Sequence, residues 1–180
     1  MASIINRKFF FDYVRAHLFS GSLKQKQVDG LSAILDYWQV NYANKDDRWL
    51  AYALGTAHHE TDRTFGPIRE YGLGNGKPYY PYYGRGLVQL TWDYNYKKMG
   101  TILGLNLVAN PDLALKLKNA VPIMLIGMDR GIFTGKKLSQ YFNPTTDDWY
   151  HARRIVNALD KAQLIADYGK GYYAAISYTT

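Results

Sequence analysis

Glu60 and Glu70 are the only glutamates in the chain; the other thirteen acidic residues are aspartates. Both lie in AYALGTAHHETDRTFGPIREYG, residues 51–72, with glycine and proline between them. On a helix, Trp49, Ala53, Thr56 and Glu60 fall along one line. Glu60 is therefore expected at a helix end, facing the negative end of the dipole and semi-apolar neighbours. Both effects favour a protonated carboxyl, which is what a general acid requires. Glu70 is expected in a Gly/Pro loop, where water is accessible and ionisation costs little. One carboxyl pushed towards acid and one left as base is the arrangement that splits a glycosidic bond. The competing reading is two solvated surface glutamates. If Glu60 is the acid, Glu60→Gln is expected to abolish turnover and to leave stability unchanged or slightly raised.

The neighbouring histidines do not build a metal centre. His58, His59 and Glu60 are consecutive, so on a helix they point about 100° apart. There is no HExxH and no cysteine, so neither a zinc site nor a Cys nucleophile is expected, and no cofactor is implied. His58 shares a helix line with Asp47, Ala51 and Leu54 and reads as a hydrogen-bonded, partly buried histidine. No G-x-S-x-G elbow and no G-x-x-x-x-G-K-[ST] loop is present.

The elements that must position the glutamates read as mainly helical. Phe10, Val14 and Leu18 have helical spacing up to the SGS at 20–22. Further helices are expected at about 24–42, 48–60, 94–103, 120–133, 147–158 and 161–177, with Asp46 or Asp47 as an N-cap before the third. NPDLAL at 110–115 reads as a capped short helix. GLVQLT at 86–91 reads as a short strand, with Leu87, Val88 and Leu90 as packing residues. Residues 61–83 carry so much glycine and proline that they form one long loop, a feature usually tied to function. The 180 residues, 47% hydrophobic and 21% charged, suit a single globular domain, 1–180. Tyrosine is abundant, at 17 residues, and suits both cores and sugar-binding grooves. The net charge of +7 is spread evenly, without a basic block, so it favours polyanions in general and marks no nucleic-acid site. No signal-peptide core interrupts the charged start MASIINRKFFFDYVRAHLF.

AHHET followed by YYGRGLVQLTWDYNYKKMG resembles glycoside hydrolase family 19: a helix ending in His-Glu-Thr, then Tyr-Gly-Arg-Gly, Gln-Leu-Ser/Thr and Asn-Tyr. The stretches FFDYVRAHLFSGSLKQKQVDGL, NPDLAL, FTGKKLSQYF and HARRIVNALD resemble the small phage and prophage members of the same family. The resemblance implies a lysozyme-like α+β fold, with a small β element beside the cleft, spanning nearly the whole chain without a separate wall-binding module. It implies Glu60 as the acid and Glu70 as the base of an inverting reaction, with Thr91 holding the attacking water. Gln89, Asn95 and Asn157 match polar cleft residues. Tyr82, Tyr83 and Arg85 match cleft wall or support, and His59 joins the candidate substrate contacts. Gly84 and Gly86 are expected to let the backbone approach the sugar. The plant chitinases of the family place their glutamates further apart in a larger, disulfide-bonded scaffold, so Asp62 stands as a rival base.

The family covers chitin and peptidoglycan, both β-1,4-linked N-acetylhexosamine polymers. The phage-type resemblance, the positive charge and the lack of cysteines favour bacterial peptidoglycan. The expectation is an endolysin-like muramidase (lysozyme). It would be monomeric and held in the host cytoplasm until a holin-type pore gives access to the cell wall and periplasm. The alternatives are a chitinase and a non-catalytic glycan-binding protein; nucleic acid is not expected as a partner.

Overall fold

A computed structural model describes residues 4–177; the outermost residues of the expected domain, 1–3 and 178–180, lie outside it. The helices are α1 (Arg7–Leu18), α2 (Gln25–Asn41), α3 (Asp47–Glu60), α4 (Asp93–Leu103), α5 (Leu117–Arg130) and α6 (Ala162–Ile176). Two antiparallel ribbons complete the fold. β1 (Ile68–Arg69) pairs with β2 (Arg85–Gly86), and β3 (Phe142–Asn143) pairs with β4 (Thr146–Asp147). The mainly α class with a small β element, expected from the sequence, is the class observed.

α3 is the axis of the molecule. Asp46 caps it by accepting a hydrogen bond from the Arg48 amide at 3.0 Å. Every residue from Trp49 to His58 is buried, so the helix lies inside the core rather than on its surface. Its main partner is α6. At their crossing, a Cβ on Gly55 would stand 2.7 Å from the Gly169 nitrogen and 2.9 Å from its Cα. Only glycine lets the two backbones approach so closely.

Two sequence expectations are corrected here. Residues 147–158 do not form one α-helix. They leave β4, pass Trp149 and make only the 3-10 turn His151–Ile155, because Trp149 is drawn into an aromatic cluster with Tyr52 and Phe142. GLVQLT is not a continuous strand either. Arg85 and Leu90 bond to each other in both directions (2.8 and 3.2 Å), so the segment folds back as a tight loop with Gln89 at φ +56°.

His58 is buried on α3. Its Nδ1 lies 2.8 Å from the Tyr172 hydroxyl, its ring stacks on Tyr168 at 4.0 Å, and Nε2 has no partner among the described residues. Burial, with Arg63 and His59 nearby, lowers its pKa from 6.5 to about 3. The unfolded chain therefore binds the proton more readily, so this contribution to stability is present above pH 6.5 and is lost as pH falls towards about 3.

Two outcomes follow for stability. Gly55→Ala gains about 1 kcal/mol of helix propensity, but overpacking against backbone atoms costs about 1–3 kcal/mol, at the upper end where nothing can yield. Thermal unfolding should show a net loss of about 2 kcal/mol, or a Tm lower by about 4–8 °C. His58→Gln, which cannot take up the proton, should lose less Tm than the parent between about pH 7 and about pH 4.

Candidate active site

Glu60 is the last residue of α3. The following Thr61 is fully buried; its hydroxyl donates to the Ala57 carbonyl at 2.7 Å and accepts from the Phe65 amide at 3.0 Å. This clamp ends the helix and fixes the direction in which the chain leaves Glu60. The carboxylate does not stand alone in semi-apolar surroundings. Its Oε1 accepts a hydrogen bond from Arg153 Nη1 at 2.7 Å, and the side chains are 14% and 3% exposed. Arg153 is itself held, donating from Nε to the Asp160 carbonyl at 3.0 Å. Among the described residues, Glu60 Oε2 has no hydrogen-bond partner.

Glu70 follows β1 and is half-buried rather than free in a loop. Its amide donates to the Gly84 carbonyl at 2.7 Å, extending the β1–β2 ribbon. Its carboxylate is held at both ends: Oε1 accepts from the Tyr79 hydroxyl at 2.7 Å and Oε2 from the Gly84 amide at 2.9 Å. A carboxylate with both oxygens bonded still has lone pairs for a water.

Two adjoining cavities meet at Glu60 and Gln89. The larger, about 490 Å³, is lined by Glu60, Tyr79, Thr91, Trp92, Asn95 and Asn157 among others. The smaller, about 260 Å³, brings Glu60 together with Glu70, His59, Arg69 and Tyr71. Thr91 and Glu70 thus lie in neighbouring cavities rather than in the same one. The Thr91 hydroxyl donates to the Gln89 carbonyl at 2.7 Å, which leaves its oxygen free to accept. Asn95 donates to the Thr91 carbonyl at 3.0 Å, and its buried Oδ1 has no partner among the described residues. Asn157 is exposed on the rim. Asp62 is exposed in the turn after α3 and lines neither cavity.

Tyr83 and Arg85 lie beneath the cleft instead of on its wall. The Arg85 guanidinium is 3.6 Å from the centre of the Tyr83 ring, bonds the Tyr96 hydroxyl at 3.0 Å and pairs with Asp112 at 2.9 Å. It fastens the β1–β2 ribbon to the 3-10 helix Pro111–Leu115, so it supports the site without touching it. The two glycines beside it also serve the fold. A Cβ on Gly84 would meet Gln89 Oε1 at 2.7 Å, and Gly86 has φ +90° with the Ala114 carbonyl at 3.1 Å from its missing Cβ. They make room for protein atoms, not for a sugar.

A buried helix thus delivers one carboxyl to a cavity that a second carboxyl, beside a small β ribbon, also lines. The particular family follows from comparison. Residues 48–123 match the model of glycoside hydrolase family 19, described as "Chitinase class I". The chain is 33% identical over 102 residues to "Endochitinase A2" of Pisum sativum, a match covering 41% of this chain and 31% of that protein. It is 55% identical over 47 residues to "Inactive chitinase-like protein 1" of Hevea brasiliensis, covering 26% and 14%. The matched segments thus span less than a third of those relatives' own lengths. The fold superimposes on chitinase C from Streptomyces griseus HUT6037 with a TM-score of 0.60 at 21% identity, covering 98% of this chain and 78% of that one. Residues 48–123 are a glycoside hydrolase family 19 segment, and the fold around them is that of the family's chitinases.

Arg153, which bonds Glu60, and Tyr79, which bonds Glu70, are among the residues that the sequence reading did not assign. Arg153 stands in the quoted HARRIVNALD, but its partner is 93 positions away, and nothing local marks it. The ion pair also reverses the expectation for Glu60→Gln. Gln keeps an acceptor for Arg153 but leaves a buried guanidinium without counter-charge. Denaturant unfolding should show Glu60→Gln less stable by about 1–3 kcal/mol. Adding Arg153→Met, which removes the stranded charge, should recover part of that loss.

Proposed function

We propose that this chain hydrolyses β-1,4-linked N-acetylglucosamine polymers as a chitinase-type glycosidase, by single displacement with inversion. The reading is carried by one observation: Glu60 and Glu70 open onto a common cavity, one on a helix end and one on a ribbon. It is supported by the family match and by relatives named as endochitinases. Glu60, anchored through Oε1, presents Oε2 to protonate the leaving glycosidic oxygen. Glu70 removes a proton from the water that attacks the anomeric carbon from the other face. Because the Thr91 hydroxyl already donates to Gln89, its oxygen accepts a hydrogen bond from the water's other O–H, which stays with the product, and so turns a lone pair towards the sugar. The unpaired Asn95 Oδ1 suits the amide N–H of an N-acetyl group, since a buried acceptor without a donor is costly.

Peptidoglycan is the second reading, favoured by the net charge of +7, which suits an anionic wall. In that case the chain is a muramidase acting at host lysis, reached through a holin-type pore, and the site residues keep the same roles.

The deciding experiment incubates parent and Glu60→Gln with chitin oligosaccharides and, separately, with purified peptidoglycan. Products are read by NMR for anomeric form and by mass spectrometry after reduction for the new sugar end. Chitin fragments born as the α-anomer, absent with Glu60→Gln, are expected. New ends on N-acetylmuramic acid, with no action on chitin, would replace the chitinase reading by the muramidase one. Turnover retained by Glu60→Gln would remove the acid assignment. No new ends on either polymer would leave a glycan-binding protein.

A further inference from the structure

The base of this reading is not held by its own strand alone. Glu70 lines the smaller cavity, whereas Tyr79 lines the larger one with Glu60 and Thr91. The Tyr79 hydroxyl donates to Glu70 Oε1 at 2.7 Å and so spans the boundary between them. Tyr79 comes from the glycine-rich turns 72–81 and is fixed there by an edge-on contact with Trp92, ring centres 5.4 Å apart. Trp92 belongs in turn to the segment that carries Thr91, and its amide donates to the Tyr82 carbonyl at 2.9 Å. One phenol therefore ties together the carboxylate, the turns and the wall on which the water-holding hydroxyl stands.

We propose that Tyr79 is a positioning residue for the base: its hydroxyl sets the rotation of the Glu70 carboxylate in the cavity that Glu70 shares with Glu60. The proposal rests on the assignment of Glu70 as base. Three features carry it. First, among the described residues the carboxylate has two protein donors. The Gly84 amide fixes Oε2, but a carboxylate held at one oxygen alone can still turn about its final bond. Tyr79 supplies the second point and removes that freedom. Second, the donor is committed. Its hydrogen bond to Glu70, together with partial desolvation, raises the Tyr79 pKa, so the phenol keeps the proton it donates. Third, the hydroxyl points at the carboxylate and the ring at Trp92, so the hydroxyl can be removed without removing the packing. A misaimed base costs rate without costing affinity, because substrate is held by other groups.

The test is Tyr79→Phe, compared with the parent and with Glu70→Gln on the polymer that the parent cleaves. Phenylalanine keeps the ring contact and deletes only the donor. The expected result is a kcat about tenfold to a hundredfold lower, the range for one hydrogen bond to a charged group, with KM and Tm unchanged. A raised KM or a lowered Tm with unchanged kcat would make Tyr79 a structural prop and overturn the proposal. A parent-like kcat for Tyr79→Phe beside an inactive Glu70→Gln would also overturn it, while leaving Glu70 as the base. Full activity in Glu70→Gln would overturn the base assignment, and this proposal with it.

Discussion

The close crossing of α3 and α6 is the constraint on which the rest of the molecule depends. Gly55 meets the backbone of Gly169 where any larger side chain would collide, so α3 can sink into the core along the whole of Trp49–His58. A helix buried on every side has no freedom to roll or slide, because interiors pack at crystal density. Its C-terminal residue is therefore placed by the core and not by a loop. Glu60 inherits that rigidity, and Thr61 completes it by locking the first turn beyond the helix.

The same rigidity explains how the cleft accommodates an acidic group next to the core. Arg153 is 3% exposed and meets Glu60 from a segment that folds as a 3-10 turn because Trp149 is drawn into the aromatic cluster with Tyr52 and Phe142. One carboxyl oxygen accepts from the guanidinium, and the other has no partner among the described residues. A buried ion pair of this kind adds little net stability compared with apolar packing, but it fixes geometry, and breaking it from one side is costly.

The second carboxyl is held by a lighter frame. The β1–β2 ribbon is only two residues long on each side, so its own ladder could not hold Glu70. Arg85 provides the missing stiffness from below, joining Tyr83, Tyr96 and Asp112 around one planar group. Tyr79 and the Gly84 amide then hold the carboxylate itself. Glu60 is thus positioned by hydrophobic packing and Glu70 by a polar network.

Local signals determined much of this protein. Helical periodicity located all six α-helices and placed the N-cap of α3 at Asp46 or Asp47, because amphipathic spacing and capping act within a few residues. The scarcity of glutamate singled out Glu60 and Glu70, and the block around Gln89 and Thr91 indicated the family and with it the helical fold. The tertiary structure alone decided the rest. It turned 147–158 from a helix into a ribbon and a 3-10 turn, since packing of Trp149 outweighed helical periodicity. It chose support over cleft wall for Tyr83 and Arg85, and gave Glu60 its partner Arg153. It also set Thr91 and Glu70 in adjoining cavities bridged by Tyr79. Each of these depends on groups far apart in sequence meeting in space, and neither spacing nor propensity carries that information.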